Sequence, residues 1–335
     1  MPQGYRTMDG IDFNDIWYGG AGIQAAVDLY RRVELPIITS LAMPWPETLM
    51  KYGISNRNGF QPLGPGERPN RKTIEIATMY PDVQKYGYGV GTDLDTLRRS
   101  TGREIMLDLN RPMQEDPENV LTVFLQTMLN GPDAQTNNSK YSFYNGQYAT
   151  EEKITAPPVY QQNTFSSNHT HYLAKSGGLA STDFTDMKQT IREHGHKGGL
   201  AAFINSNGVQ QLEDLAAFTQ ASIIRSPVTD QVAVAGFNDV FTIWGITFHS
   251  TEMMPNDYVL VVETSPVETG RPLVMYEPAN MRGLTMHPGP ANDYPLIESF
   301  WDRWFGVKVF QRGAGAVLYY GHSTSYSTPT LAGQP

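Results

Sequence analysis

The chain has 335 residues, a formal net charge of −9 and no cysteine. That length allows about two domains. The acidic balance argues against general nucleic-acid binding, and the missing cysteine excludes disulfides, a thiolate nucleophile and cysteine-ligated metals.

Charged residues make up 18% of the chain, against about 25% in an ordinary soluble domain. With 18 Tyr, 14 Phe and 5 Trp, so thin a charge points to surface covered by another subunit. The N-terminal residues show no apolar core of a secretion signal. No run approaches the roughly 18 apolar residues of a membrane span, so a soluble protein is expected.

Residues 1–20 have no clear period and read as an extended arm. Ala21 to Val33 has helical spacing, with Ile23, Ala26, Val27 and Tyr30 on one face, and Pro36 is expected to end it. Leu41 to Pro46 reads as irregular, and Glu47 to Tyr52 as one helical turn. Lys72 to Met79 and Val83 to Val90 both alternate, the second with Tyr86, Tyr88 and Val90 on one face. Together they predict a long hairpin with a polar, Pro- and Gly-rich end over 57–70. Too few apolar residues are present for that hairpin to bury both faces within its own chain. Its charged residues Glu67, Arg68, Arg71, Lys72 and Lys85 offer both signs to a neighbouring subunit.

Asp and Thr residues in 92–101 are candidate helix caps. A long helix follows from Arg103 toward Asn130, carried by Ile105, Leu109, Met113, Val120, Phe124 and Met128. Pro112 and Pro117 predict a kink or a division into two pieces. Residues 133–167 are polar and read as a loop. Helices are expected over Asp183–His194, capped by Ser181 or Thr182, and over Gly208–Phe218. Strands are expected at Leu200–Ile204, Val232–Ala235, Phe241–His249, Tyr258–Val262 and Leu273–Tyr276. In the closing stretch, Phe300, Trp304 and Phe305 recur at i, i+4 and i+5. That spacing predicts a short helix followed by a hairpin of Val307–Phe310 and Ala314–Tyr320, with Phe300, Trp304 and Phe305 in the core.

Three segments in this order carry a resemblance: Gln84 to Asp95 (QKYGYGVGTDLD), Val240 to Pro255 (VFTIWGITFHSTEMMP) and Glu298 to Val307 (ESFWDRWFGV). With the arm, the hairpin and the long helix, the chain resembles a tailed-phage major capsid protein of the Hong Kong 97 type. The resemblance implies an α+β fold: an N-terminal arm with its short helix (1–38), an extended β-hairpin or E-loop region (39–92), a P domain with its spine helix and an inserted loop (93–190), an A domain (191–298), and a P-domain return strand with a C-terminal tail (299–335). It implies a structural subunit, not an enzyme and without a cofactor. Such subunits would form pentamers and hexamers of an icosahedral shell around double-stranded DNA, in the virion, after synthesis in the host cytoplasm. Scaffolding, portal and decoration proteins are the implied partners. Arg303 and Arg312 join the hairpin charges as expected subunit contacts. An encapsulin-like compartment shell is the alternative within the same fold.

A different class of function rests on two histidine pairs, His169-Thr-His171 and His194-Gly-His196. In a strand, i and i+2 point the same way, so each pair could chelate a metal. With Glu193 they could form the centre of a metal-dependent enzyme. The cupin-like form of that pattern needs a Glu a few residues after the pair, and neither pair has one. No metal or catalytic residue is therefore expected. Gly87 to Gly91 lacks the Gly-x-x-x-x-Gly-Lys spacing of a phosphate loop, and Gly313-Ala-Gly315 reads as a turn or bulge.

Overall fold

Tyr258–Thr264 is apolar at nearly every position, and a strand of that kind must be covered on both faces. In a computed structural model of the chain it is an interior strand of the largest sheet, paired on both edges. The structure describes residues 6–11, 30, 36–45, 47, 50–54, 75–79, 83–131, 142–145, 169–215, 224–226, 239–265, 270–288 and 296–331. The elements in order are α1 (Pro36–Leu41), β1 (Ala42–Trp45), β2 (Met50–Ile54), β3 (Glu75–Met79), β4 (Gln84–Asp93), α2 (Leu94–Arg99), α3 (Gly102–Leu129), β5 (Tyr172–Ala174), α4 (Ser181–Arg192), β6 (Gly199–Ile204), α5 (Ser206–Glu213), β7 (Ile224–Ser226), β8 (Asp239–Ile243), β9 (Ile246–Ser250), β10 (Tyr258–Thr264), β11 (Leu273–Tyr276), β12 (Thr285–Pro288), β13 (Leu296–Val309) and β14 (Gly315–Tyr319).

Seven strands form one mixed sheet in the order β5-β14-β10-β6-β9-β8-β7. Successive side chains of a strand point to opposite faces, and here the two sets enter two different cores. Leu260 and Val262 of β10, Ala201 and Phe203 of β6 and Val317 of β14 join the first core. Val259 and Val261, Leu200, Ala202 and Ile204, and Ala316 and Leu318 join the second, with Phe184, Met187 and Ile191 of α4. The hairpin β8–β9 contributes Phe241, Ile243, Ile246 and Phe248 to that second core. Its turn residues Trp244 and Gly245 have φ of 54° and 75°, the left-handed pair that a tight two-residue hairpin turn requires.

The first core is closed by α3. Val120, Leu121, Phe124, Leu125, Met128 and Leu129 repeat at helical spacing and are at most 1% exposed. Thr101 caps α3, with its hydroxyl and the Glu104 carboxylate satisfying each other's backbone N–H, as in a capping box. At 28 residues the helix is about 42 Å long. Both Pro112 and Pro117 lie inside it, and both are buried. The expected division into two pieces does not occur.

The second sheet has five strands. β1 runs parallel to β11, β11 pairs antiparallel with the end of β13, and β13 pairs with β4 over ten residues and with β12 over Ser299–Asp302. Among the described residues β2 and β3 pair with each other alone, as a two-stranded sheet.

The structure departs from several sequence expectations. The closing segment Leu296–Val309 is one continuous strand without a helix. Its real period is two: Trp301, Phe305, Val307 and Val309 are buried, whereas Phe300 is 46% exposed and Trp304 half-buried. β13 and β14 do not form a hairpin, because they enter different sheets. The expected hairpin is also re-paired. β3 joins β2, in the segment expected to be a helical turn, and β4 joins β13. Residues 42–45, expected to be irregular, are β1, and Pro36 opens α1. Proline suits a first helical position because its missing N–H would have no intrahelical acceptor there. The cap of α4 is Ala180, whose N–H donates to Asp183 at 2.7 Å. Phe241–His249, expected as one strand, is the β8–β9 hairpin. The readings of 21–33 (apart from helical Tyr30), 133–141, 146–167, 216–218 and 232–235 lie outside the described residues.

His249 on β9 stacks on Phe203, ring centroids 5.5 Å apart. Burial pushes its imidazole down from 6.5 to about 4. The folded chain therefore holds it neutral where the unfolded chain binds a proton. Stability from this group is complete above pH 6.5 and is lost as pH falls toward 4, by about 2–3 kcal/mol after allowance for its exposed edge. A His249→Phe variant should lack that increment. Urea midpoints at pH 7 and pH 4.5 check it, and an equal pH dependence in both proteins overturns it.

Candidate functional site

Two places in the fold gather polar side chains around apolar packing, and both involve residues singled out in the sequence. The first lies where β13 crosses α3. Arg303 faces inward between Trp301 and Phe305. Its Nη1 donates to Asp116 Oδ2 of α3 at 2.6 Å, its Nε and Nη2 reach Glu277 Oε1 at 3.0 and 2.9 Å, and the Tyr30 hydroxyl donates to the same Asp116 oxygen at 2.8 Å. The Arg303 side chain is 14% exposed and that of Asp116 3%. Burial alone would push the guanidinium down, but the Asp116 and Glu277 carboxylates overcome it and hold Arg303 above its ordinary value. Burial, and then the Asp116 charge, raise the Tyr30 phenol. The network ties Tyr30, α3, the segment after β11 and β13 to one point.

The outer face of the same ribbon is different. Cross-strand partners share a face, so Lys85, Gly87 and Gly89 lie beside Trp304, Asp302 and Phe300. Lys85 Nζ is 3.1 Å from Asp302 and 5.5 Å from the Trp304 ring centroid. His287 reaches Asp302 at 3.2 Å. Phe300 stands exposed over Gly89, which has no side chain to cover it. On the inner face Tyr86 stacks on Phe305 at 4.8 Å.

Of the expected contact residues, Lys85 is therefore on the outer face, while Arg303 is turned inward. Arg312 is 7% exposed; its Nε donates to the Ser142 carbonyl at 2.9 Å, and its guanidinium lies 5.8 Å from the Tyr144 ring centroid. Both arginines are engaged within the chain. Glu67, Arg68, Arg71 and Lys72 lie outside the described residues.

The second place is formed by histidines. His169, His171 and His194 offer ring nitrogens that all lie within 4.8 Å of one another. His169 Nε2 and His194 Nε2 are 2.9 Å apart. The His171 ring sits 4.8 Å from that of His194 and 5.3 Å from that of His169. Burial pushes all three imidazoles down, His194 to about 3, so they are neutral at pH 7. His196, the other half of its pair, turns away to Glu263 at 2.5 Å. Burial works against the Glu263 charge, but its bonds from His196 and the Gly198 N–H hold its carboxyl below the usual range. The i, i+2 reading thus holds for His169 and His171 and fails for His194 and His196. The second pair follows the C-terminal end of α4, where Gly195 turns the chain at φ of 84°.

No sequence signal announced Asp116, Glu277 or Trp301. Their roles depend on partners distant along the chain: Asp116 and Arg303 are 187 residues apart.

No protein-family model matches the chain, and no curated protein sequence matches it. Solved structures do. A chain of Mycobacterium phage Patience superposes at a TM-score of 0.64 with 20% identity, over 98% of this chain and 96% of that one. The chain has the Hong Kong 97-type capsid fold. A subunit of the mature capsid of bacteriophage PhiM1 matches at 0.52 with 9% identity, over 84% of this chain and 86% of that one. A capsid chain of the native GTA particle matches at 0.52 with 12% identity, over 87% and 92%.

Proposed function

We propose that the chain is a tailed-phage major capsid protein, a structural subunit that self-assembles into the pentamers and hexamers of an icosahedral shell enclosing double-stranded DNA. The observation that carries this reading is a fold shared over nearly the whole chain with a phage protein, and over most of it with subunits of two capsids. An encapsulin-like compartment is not favoured.

The physical layout agrees. The β2–β3 ribbon is a sheet of two strands, and such a ribbon is marginal in water unless it lies on something else. A neighbouring copy is the natural support. The outer face of β4 and β13, with Lys85, Phe300 and Trp304 over a glycine row, is the described surface we assign to a second subunit. Apolar groups at its centre and charges beside them suit an interface. Identical contacts repeated around closed rings then give a shell. In this reading the arm, E-loop, P domain, A domain and return segment occupy 1–38, 39–92, 93–190, 191–298 and 299–335. The strand β14 of the last segment lies in the seven-stranded sheet and so serves the A domain as well. Scaffolding, portal and decoration proteins are the partners this role calls for, the virion is its place and the host cytoplasm its site of synthesis. Among the described residues no helix is long and apolar enough to cross a membrane.

Electron microscopy of the purified full-length protein, or of particles from cells producing it, tests the proposal. Closed shells tens of nanometres wide are expected. A small discrete oligomer under every assembly condition would sink it.

A further inference from the structure

Three imidazoles meeting in a mostly buried place need a physical account that a shell subunit does not by itself supply. His171 is the most constrained. It is fully buried, and its Nδ1 lies 2.6 Å from the carbonyl oxygen of Gly315. A carbonyl only accepts, so Nδ1 carries the proton and, in the neutral ring, Nε2 carries a bare lone pair. That Nε2 is buried and has no hydrogen-bond partner. Leaving a buried acceptor without a hydrogen bond is destabilising. The arrangement is also the one a metal-bound histidine shows: the far nitrogen donates to a backbone carbonyl, which fixes the tautomer and aims the near nitrogen at the ion.

The other two rings complete the set. His169 and His194 bring their Nε2 atoms to 2.9 Å. Two imidazole nitrogens on one tetrahedral zinc, each about 2.0–2.1 Å from it, are roughly 3.3 Å apart. A small opening of this pair would place an ion between them, with His171 as third ligand from the buried side. His169 is only half-buried, which leaves a way in and a fourth position for water. The surroundings favour a cation. His194 follows the C-terminal end of α4, where the helix dipole is negative, and the Glu193 carboxylate acts on His169.

The Gly313-Ala-Gly315 segment explains how the chain fits there. A Cβ at Gly313 would lie 2.8 Å from the His194 Cβ, and one at Gly315 2.2 Å from the Phe143 ring. Both glycines let the backbone approach closely enough for the Gly315 carbonyl to accept a hydrogen bond from His171 Nδ1.

We infer that His169, His171 and His194 form a binding site for one divalent transition-metal ion of the zinc type, which staples the chain entering β5 to the end of α4. Three neutral nitrogen donors with one open position suit zinc and the later first-row divalent metals better than magnesium or calcium, which prefer oxygen. The site is independent of the shell reading, since it lies within one subunit.

The test uses the full-length protein, stripped with a chelator at neutral pH and titrated calorimetrically with zinc chloride. One zinc per subunit is expected, with a rise in melting temperature that the chelator reverses. His169→Gln should bind at least about tenfold more weakly; His169 is half-buried, so this variant should fold even if changes at His171 do not. His196→Gln should bind like the parent, because His196 faces Glu263. Cobalt(II) in place of zinc should give the intense visible bands of a four-coordinate site. No saturable zinc binding, unchanged affinity in His169→Gln, equal loss in His196→Gln, or the pale spectrum of six-coordinate cobalt would each overturn the assignment.

Discussion

Arg303→Met is expected to cost the subunit about 3–5 kcal/mol of unfolding free energy, the usual penalty for removing one partner of a buried ion pair. Methionine fills much of the space and keeps the contact with Phe305, whose ring centroid lies 5.5 Å from the guanidinium. What is lost is the one cation that meets Asp116 among the described residues; the Asp116 side chain is 3% exposed and also accepts from the Tyr30 hydroxyl. Glu277 loses its two-pronged contact as well. Arg303→Lys should fall between, since an ammonium keeps the charge but not the planar fork that bonds two carboxylates at once. Urea unfolding of unassembled subunits measures both variants. A midpoint shift worth less than about 0.5 kcal/mol for Arg303→Met, the range of an ordinary surface change, would show that the network does not hold β13 to α3.

Deleting residues 58–72 is expected to leave a soluble, folded subunit that forms no closed shell. The deletion removes the segment between β2 and β3 and leaves 55–57 and 73–74 to join them. That is within the two to about five residues of common hairpin loops, so the pairing of Met50–Ile54 with Glu75–Met79 can survive. Among the described residues, both cores are built from side chains outside the deleted segment. Folding should therefore be little changed, with a near-parental melting temperature, while the reach to a neighbouring subunit is lost. Circular dichroism and negative-stain microscopy separate the two effects. Shells of normal size and yield from the deletion would refute the role given to the ribbon.

Much of the fold is legible in the sequence. The face of α3 from Val120 to Met128, the strands at Gly199–Ile204, Tyr258–Thr264 and Leu273–Tyr276, and the helix α4 all follow local periodicity, because each buries a continuous stripe or a whole apolar run. The errors fall where local pattern and burial part company. In β13 an arginine occupies an inward position between Trp301 and Phe305, so the alternation is broken in the sequence though intact in space. The aromatic residues at 300, 304 and 305 then imitate a helix. Arg303 can sit there only because Asp116 and Glu277 neutralise it, and nothing near residue 303 in the sequence predicts them. The expected E-loop failed in pairing, not in kind: β3 and β4 both alternate, but alternation fixes which face is buried and not which strand lies alongside.

The closing stretch Glu298–Tyr320 shows the same division. Its aromatic content and its Gly313-Ala-Gly315 break determined by themselves that it would be core-forming and bent at one place. Only the tertiary structure decided that its two halves enter different sheets, that Trp301 is buried while Phe300 is exposed, and that the glycines make room for His194 and Phe143. The histidines are alike in this. Sequence spacing brought His169 and His171 to one side of the chain, since that geometry is local. Adding His194 and sending His196 to Glu263 required α4, β10 and β14 to be in place, because a three-dimensional site is set by contacts among elements that periodicity cannot see.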